Sequence, residues 1–121
     1  MIFIVGGKGL KKNPVYDTIH NDKKIMLSPN SAHNFVNTKF IAKSIFDILN
    51  LGIRNEIFNL ASKNSILIGN LSNIIGYESE YTDDAEKHVE NYDINTEKIQ
   101  KYIELYTSEE AIIDYTKTLS V

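Results

Sequence analysis

The sequence predicts a mixed α/β fold: a small domain of short strands with four to five helices. Three observations carry that expectation. An apolar, β-branched run at the start ends in paired glycines, apolar residues recur at helical spacing between Phe40 and Leu49, and two amphipathic stretches close the chain. With 121 residues, 42% of them hydrophobic and 24% charged, the chain can bury one core but hardly two, so residues 1–121 are expected to form a single domain. No internal repeat or low-complexity linker suggests a boundary inside it.

Ile2 to Val5 reads as a buried strand entering a loop at Gly6 and Gly7. Asn13 followed by Pro14 fits a helix start, with proline in the first turn where its missing N–H costs nothing, so Asn13 to His20 is expected to form a short helix. Lys24 to Leu27 and His33 to Asn37 are read as a pair of strands separated by the turn-forming Ser28-Pro29-Asn30-Ser31. Thr38 is placed as the cap of a helix carrying Phe40, Ile41, Ile45, Ile48 and Leu49, with Gly52 at its left-handed C-terminal stop.

Glu56 to Leu60 follows as a brief strand whose Ile57 and Phe58 are expected to pack. Ser65 is read as the cap of an almost wholly apolar helix, Ile66 to Ile75, ending at Gly76 and needing cover on most sides. Tyr77 to Tyr81 alternates as an edge strand does, and Thr82 to Glu90 is a charged connection. Asn95 opens a helix with Ile99, Tyr102 and Ile103 on one side. Ser108 opens the last one, led by Glu109 and Glu110, whose carboxylates suit the positive end of a helix.

Composition removes several function classes. A net charge of −3 leaves no excess with which to neutralise a phosphate backbone, so nucleic acid is not an expected partner, and Lys8, Lys11 and Lys12 read as a solvated loop. No cysteine is available for disulfides or thiolate metal sites. The opening apolar run is too short for a signal peptide, and no stretch approaches the ~20 apolar residues of a membrane span, so the expected location is cytoplasmic. His20, His33 and His88 lack ligand-like spacing, and Asp83, Asp84 and Glu86 lack the glycine of a calcium loop. Neither a Gly-x-Ser-x-Gly elbow nor a Gly-x-x-x-x-Gly-Lys-Ser/Thr loop occurs.

The glycine-rich stretch Val5-Gly6-Gly7-Lys8-Gly9 looks like a strand running into a phosphate loop, but its spacing fails. A dinucleotide loop needs a third glycine where helix and strand pack together; Lys11, Lys12 and Asn13 occupy that region, and Asp22 lies in a turn rather than at the end of a second strand.

The order of elements is more informative. Gly7 to Pro14, then Ile25-Met26-Leu27, then His33-Asn34-Phe35-Val36-Asn37 leading into the helix Phe40 to Leu49, then Glu56-Ile57-Phe58-Asn59-Leu60-Ala61-Ser62, resembles the C-terminal half of extended short-chain dehydrogenase/reductases, the NAD-dependent epimerase/dehydratase family. In that family an aromatic-Val-His-Val strand precedes a helix beginning Asp-Asp-Val-Ala, a later strand reads Tyr-Asn-Val-Gly, and a Tyr/Asp-x-x-Lys turn opens the final helices. Phe35-Val36-Asn37-Thr38, Ile41-Ala42, Phe58-Asn59-Leu60-Ala61 and Asp93 to Lys98 look like those places. The resemblance covers nearly the whole chain through soft motifs in a shared order.

The departures matter as much. In the family a tyrosine, its pKa lowered by a lysine one helical turn on, activates a sugar hydroxyl. No tyrosine here has a lysine four residues later, and the family's nucleotide loop is also missing. The resemblance therefore implies a substrate-side fragment, inactive alone and separated from an N-terminal Rossmann domain or a split partner chain. No cofactor is expected to be bound by this chain; NAD(P) is implied for the complete enzyme, and a nucleotide sugar is the implied ligand. Ile25, Met26 and Leu27 fall where relatives line the base of that ligand, and Asn59 stands in the Tyr-Asn-Val-Gly place. His33 stands where relatives put an arginine on the substrate phosphate, so a permanently charged bidentate clamp is lost. Lys39 and Phe40 replace the acids that open the family's helix. Packing or solvent exposure explains all these positions equally well.

An uncovered apolar face, where the partner would sit, is expected to favour self-association. A stand-alone interaction module that keeps the fold without the chemistry is the alternative. A third reading, nucleotide binding through Gly6 to Gly9, would be tested by Gly7→Val.

Overall fold

The structure, a computed structural model, describes residues 2–5, 13–20 and 23–119. The run Gly6 to Lys12 and Asp22, on which the phosphate-loop reading turned, lie outside the described residues. The fold is mixed α/β, with five helices and one three-stranded sheet, in the order β1-β2-β3, among the described residues.

The centre of the sheet is β2, Ala32–Asn37, and its two edges are both used. On one side β1, Ile2–Val5, runs parallel to it with Phe3 opposite Phe35 and Ile4 opposite Val36. Parallel partners cannot be joined by a tight turn. Here helix α1, Pro14–His20, lies within the connection, its first turn fixed by the Asn13 side chain accepting from the Tyr16 N–H at 2.8 Å. On the other side β3, the two residues Ile66–Leu67, pairs antiparallel, with His33 opposite Ile66.

With both edges of β2 taken, the Lys24 to Leu27 run has no place beside it. It is not the expected strand partner. Ile25 makes a single parallel bridge to Tyr81, donating to the Glu80 carbonyl and accepting from the Thr82 N–H. That bridge is also all that forms of the expected Tyr77 to Tyr81 edge strand. Glu56 to Leu60 is not a strand either. Its polar contacts go to side chains and loops: Lys98 Nζ donates to the Ile57 carbonyl at 2.8 Å and lies 2.8 Å from a Glu56 carboxylate oxygen.

The stretch Ile66 to Ile75 divides into β3, a 3-10 turn at Ile68–Asn70 and the short helix α3, Leu71–Ile75, closed by Gly76 in the left-handed region. Ile66 and Leu67 pair with β2, and the Gly69 N–H, which would make the first bond of a helix starting at residue 66, is donated to the Pro29 carbonyl at 2.8 Å, so no helix starts there. Gly69 lets the two segments approach this closely: an added Cβ would stand 3.0 Å from the Pro29 carbonyl oxygen, and the Pro29 turn would have to give by a few tenths of an ångström.

Helix α2, Thr38–Asn50, is capped by Asn37 rather than Thr38: the Asn37 side chain accepts from the Phe40 N–H at 2.8 Å. Gly52 follows with φ 75°, as its position predicts. Helix α4 is the single turn Glu97–Gln100. Helix α5, Ser108–Leu119, is capped by Thr107, whose hydroxyl accepts from the Glu110 N–H while Glu110 accepts from the Thr107 N–H, a reciprocal capping box.

That arrangement frees Ser108 for another task. Fully buried, its hydroxyl accepts from the Phe35 N–H at 3.0 Å and donates to the Asn64 carbonyl at 2.6 Å. Beside it the Asn34 side chain donates to the Ser62 carbonyl and accepts from the Ser62 N–H, and the Ser62 hydroxyl donates to the Phe35 carbonyl. The buried network ties β2 to the 62–64 loop and to the start of α5. The apolar core gathers next to it: Val5, Val15, Ile25, Phe35, Ile66, Ile68, Leu71, Ile112 and Tyr115.

Candidate functional site

The residues picked out in the sequence fall in three different environments. Ile25 is buried in the core and Leu27 packs against it, while Met26, between them, is 70% exposed. An extended segment sends alternate side chains to opposite sides, so one residue of the three faces outward.

His33 is fully buried on β2. Its ring lies 4.9 Å from that of Phe3 and 5.3 Å from that of Tyr92, and Nε2 stands 3.5 Å from a carboxylate oxygen of the half-buried Glu90. Glu90 reaches this position because the adjoining backbone is anchored: its N–H donates to the Ser31 hydroxyl, and its carbonyl accepts from the Ala32 N–H. The imidazole therefore faces aromatic rings and a carboxylate.

Asn59 is exposed and donates from its amide to the Asn95 carbonyl at 3.0 Å. With Ile57, Asn95, Thr96, Glu97, Lys98 and Lys101 it lines a hollow of about 330 Å³. Lys98, engaged by Glu56, lies 5.2 Å from the centre of the Phe58 ring. Thus Ile25 and Leu27 share the core, whereas Asn59 sits on the hollow that precedes α4.

A groove of about 550 Å³ was not anticipated. It runs between the C-terminal half of α2 and the 102–106 loop, lined by Lys43, Asp47, Leu51, Tyr102, Glu104 and Glu110 among others. One wall is held by Tyr106 stacking on Phe40 at 3.8 Å, and Lys43 pairs with Asp47 at 2.8 Å. The hydrogen bond to Asp47 raises the Lys43 pKa and keeps its ammonium charged. The i,i+4 spacings Lys43/Asp47 and Tyr102/Tyr106 were the available signals, but neither shows that α2 and the loop face each other.

Other titratable groups respond to their surroundings in simple ways. Burial raises the pKa of Tyr81 and of Tyr115, keeping both phenols neutral. Asp84 is held below the ordinary carboxylate range, first by the Thr82 hydroxyl and then by His88. Among the described residues no group of three or more His, Cys, Asp or Glu side chains could hold a metal ion, and no helix is long and apolar enough to cross a membrane.

The described glycines do not fit a dinucleotide cradle. Gly52 and Gly76 have open space around the position of a Cβ and stand at helix C-termini, and Gly69 is pressed against Pro29. Such a cradle needs glycine where a helix N-terminus meets the ligand.

Neither a protein-family model nor a curated protein matches the sequence. Solved structures do match. A dTDP-glucose 4,6-dehydratase from Bacillus anthracis, in complex with NAD, superposes with a TM-score of 0.67 at 16% identity, covering 97% of this chain and 42% of that one. A UDP-galactose 4-epimerase gives 0.65 at 14% identity, covering 98% and 43%. The Bordetella bronchiseptica enzyme WbmH, in complex with NAD+, gives 0.63 at 14%, covering 99% and 45%. The chain has the fold of part of these epimerase and dehydratase chains, and it spans less than half the length of each.

Proposed function

We propose that this chain is the substrate-side part of an NAD(P)-dependent enzyme that epimerises, dehydrates or reduces a nucleotide sugar, with the hydride chemistry supplied from outside it. One observation supports this above the others: nearly all of the chain adopts a fold that accounts for only 42–45% of the dehydratase, epimerase and WbmH chains. The absence of a Tyr-x-x-x-Lys pair points the same way, because the hydroxyl activation that such a pair performs cannot be assembled from these residues. In this reading residues 1–121 act as one unit in the cytoplasm, completed by a Rossmann-type partner that holds the cofactor.

The substrate-side residues are then Ile25, Met26, Leu27, His33 and Asn59. Met26 and Asn59 are already exposed to a ligand; His33, buried beside Glu90, contributes only if the Glu90 segment moves aside. Titration calorimetry of the isolated chain with NAD tests the reading. No measurable heat of binding is expected, and micromolar affinity would overturn it.

A further inference from the structure

The groove between α2 and the 102–106 loop takes no part in the function proposed above: none of Ile25, Met26, Leu27, His33 and Asn59 lines it. Each of its walls is held by contacts of its own. On α2, Lys43, Asp47 and Asn50 recur at helical spacing and share one side, which Leu51 closes. The opposite wall is anchored at both ends: the Tyr102 and Ile103 N–H groups donate to the Ile99 carbonyl, and the Tyr106 carbonyl accepts from the Lys63 N–H at 2.8 Å. Between these anchors Leu105 is buried, and Phe40 covers one face of the Tyr106 ring. At about 550 Å³, a cleft with walls fixed in this way has the size of a small-molecule site.

Charge selects the kind of molecule. The lining sets three carboxylates, Asp47, Glu104 and Glu110, against one ammonium, Lys43. Lys43 and Asp47 neutralise each other at 2.8 Å. Glu110 accepts from the Thr107 N–H and hydroxyl through one carboxylate oxygen, and exposed Glu104 has no hydrogen bond or ion pair among the described residues. Two carboxylates thus share the groove with the Tyr102 and Tyr106 rings and are left without a cation. That excess repels anions. It is not a metal site either, because no group of three or more His, Cys, Asp or Glu among the described residues could hold an ion. Carboxylates and tyrosine rings together suit an organic cation, whose charge meets the acid and whose apolar stem lies along the rings. We infer that the groove binds a small organic cation, an amine or guanidinium on a short apolar stem, with Glu104 as its counter-ion and Tyr102 and Tyr106 as its walls.

Agmatine, which carries both cationic groups on a butyl stem, is the probe, and n-butyrate is the matched anion. Titration of the full chain followed by nitrogen-15 NMR should shift the Tyr102 to Tyr106 amide signals with agmatine and leave them in place with n-butyrate. Glu104→Gln and Tyr102→Ala should each weaken binding about threefold or more, as loss of one exposed ion pair or cation–π contact does, with an unchanged circular dichroism spectrum. Lys43→Ala frees Asp47 and should tighten it. The acidic run Asp83, Asp84 and Glu86, which does not line the groove, is the internal control. Equal shifts there would reveal general attraction to acidic surface and overturn the site. An unshifted 102–106 loop, or an affinity indifferent to both Glu104→Gln and Tyr102→Ala, would do the same. Binding of an arginine-containing peptide about tenfold or more tighter than agmatine would assign the groove to a protein partner and overturn the small ligand. None of these outcomes touches the NAD titration, so the groove and the proposed function stand or fall separately.

Discussion

Replacing Ser108 by alanine removes one oxygen from the place where three segments meet. The Phe35 N–H then lies buried with its acceptor gone, at a cost of about 1–3 kcal/mol. The Asn64 carbonyl loses its 2.6 Å bond but keeps one from Asn34 Nδ2 at 3.3 Å, so its share is smaller, roughly 0.5–1 kcal/mol. The cap of α5 is untouched, because Thr107 and Glu110 provide it. Together the loss is about 1.5–4 kcal/mol, or roughly a 5–15 °C fall in Tm for a chain of this size. Urea unfolding followed by far-ultraviolet circular dichroism reads it as a lower midpoint at unchanged slope. Ser65→Ala, which removes an exposed bond to the Tyr92 carbonyl, serves as the control and should cost no more than about 0.5 kcal/mol. If Ser108→Ala matched that control, the buried network would not be what fixes β2.

Asn37→Ala removes the cap of α2 together with the bond to the Ala111 carbonyl, and thermal unfolding should show a loss of about 1–2 kcal/mol. Asn37→Asp keeps the capping oxygen but sets a carboxylate against Asp114, whose Oδ2 lies 3.4 Å from Asn37 Nδ2, so it should rescue nothing; recovery of wild-type stability would refute the assignment. Thr82→Val should let the Asp84 carboxyl titrate nearer its ordinary 3.8 in a carbon-13 NMR titration, and His88→Ala should move it less. Because the native carboxyl is held low, its contribution to stability is present above that ordinary value and is lost as the pH falls through the native one. A larger response in His88→Ala would reverse the ranking of the two donors.

Where a pattern was local, it was legible. Asn13-Pro14, the spacing of α2, Gly52, Gly76 and the acids of α5 all stand where short-range rules put them. Two of the misreadings share one cause: the competition for backbone partners between segments far apart in sequence. Ile66 to Ile75 has a helix's composition, but Ile66 and Leu67 pair with β2 and the Gly69 N–H belongs to the Pro29 carbonyl. Lys24 to Leu27 has a strand's composition, but β1 and β3 hold both edges of β2. Caps slipped by one residue at Thr38 and Ser108 because a polar neighbour stood on each preceding position. For the candidate site, residue type alone could not separate Met26, which is open, from Ile25, which fills the core.

The bond from the Phe35 N–H to Ser108 spans 73 positions, and it bears on how the molecule is made. A ribosome releases β2 long before α5, whose Ile112 and Tyr115 complete the core around Phe35. Until those residues leave the exit tunnel the nascent strand has no cover for its apolar side chains, so the polypeptide cannot reach its packed state piecemeal as it emerges. Stability, in this architecture, arrives late and all together.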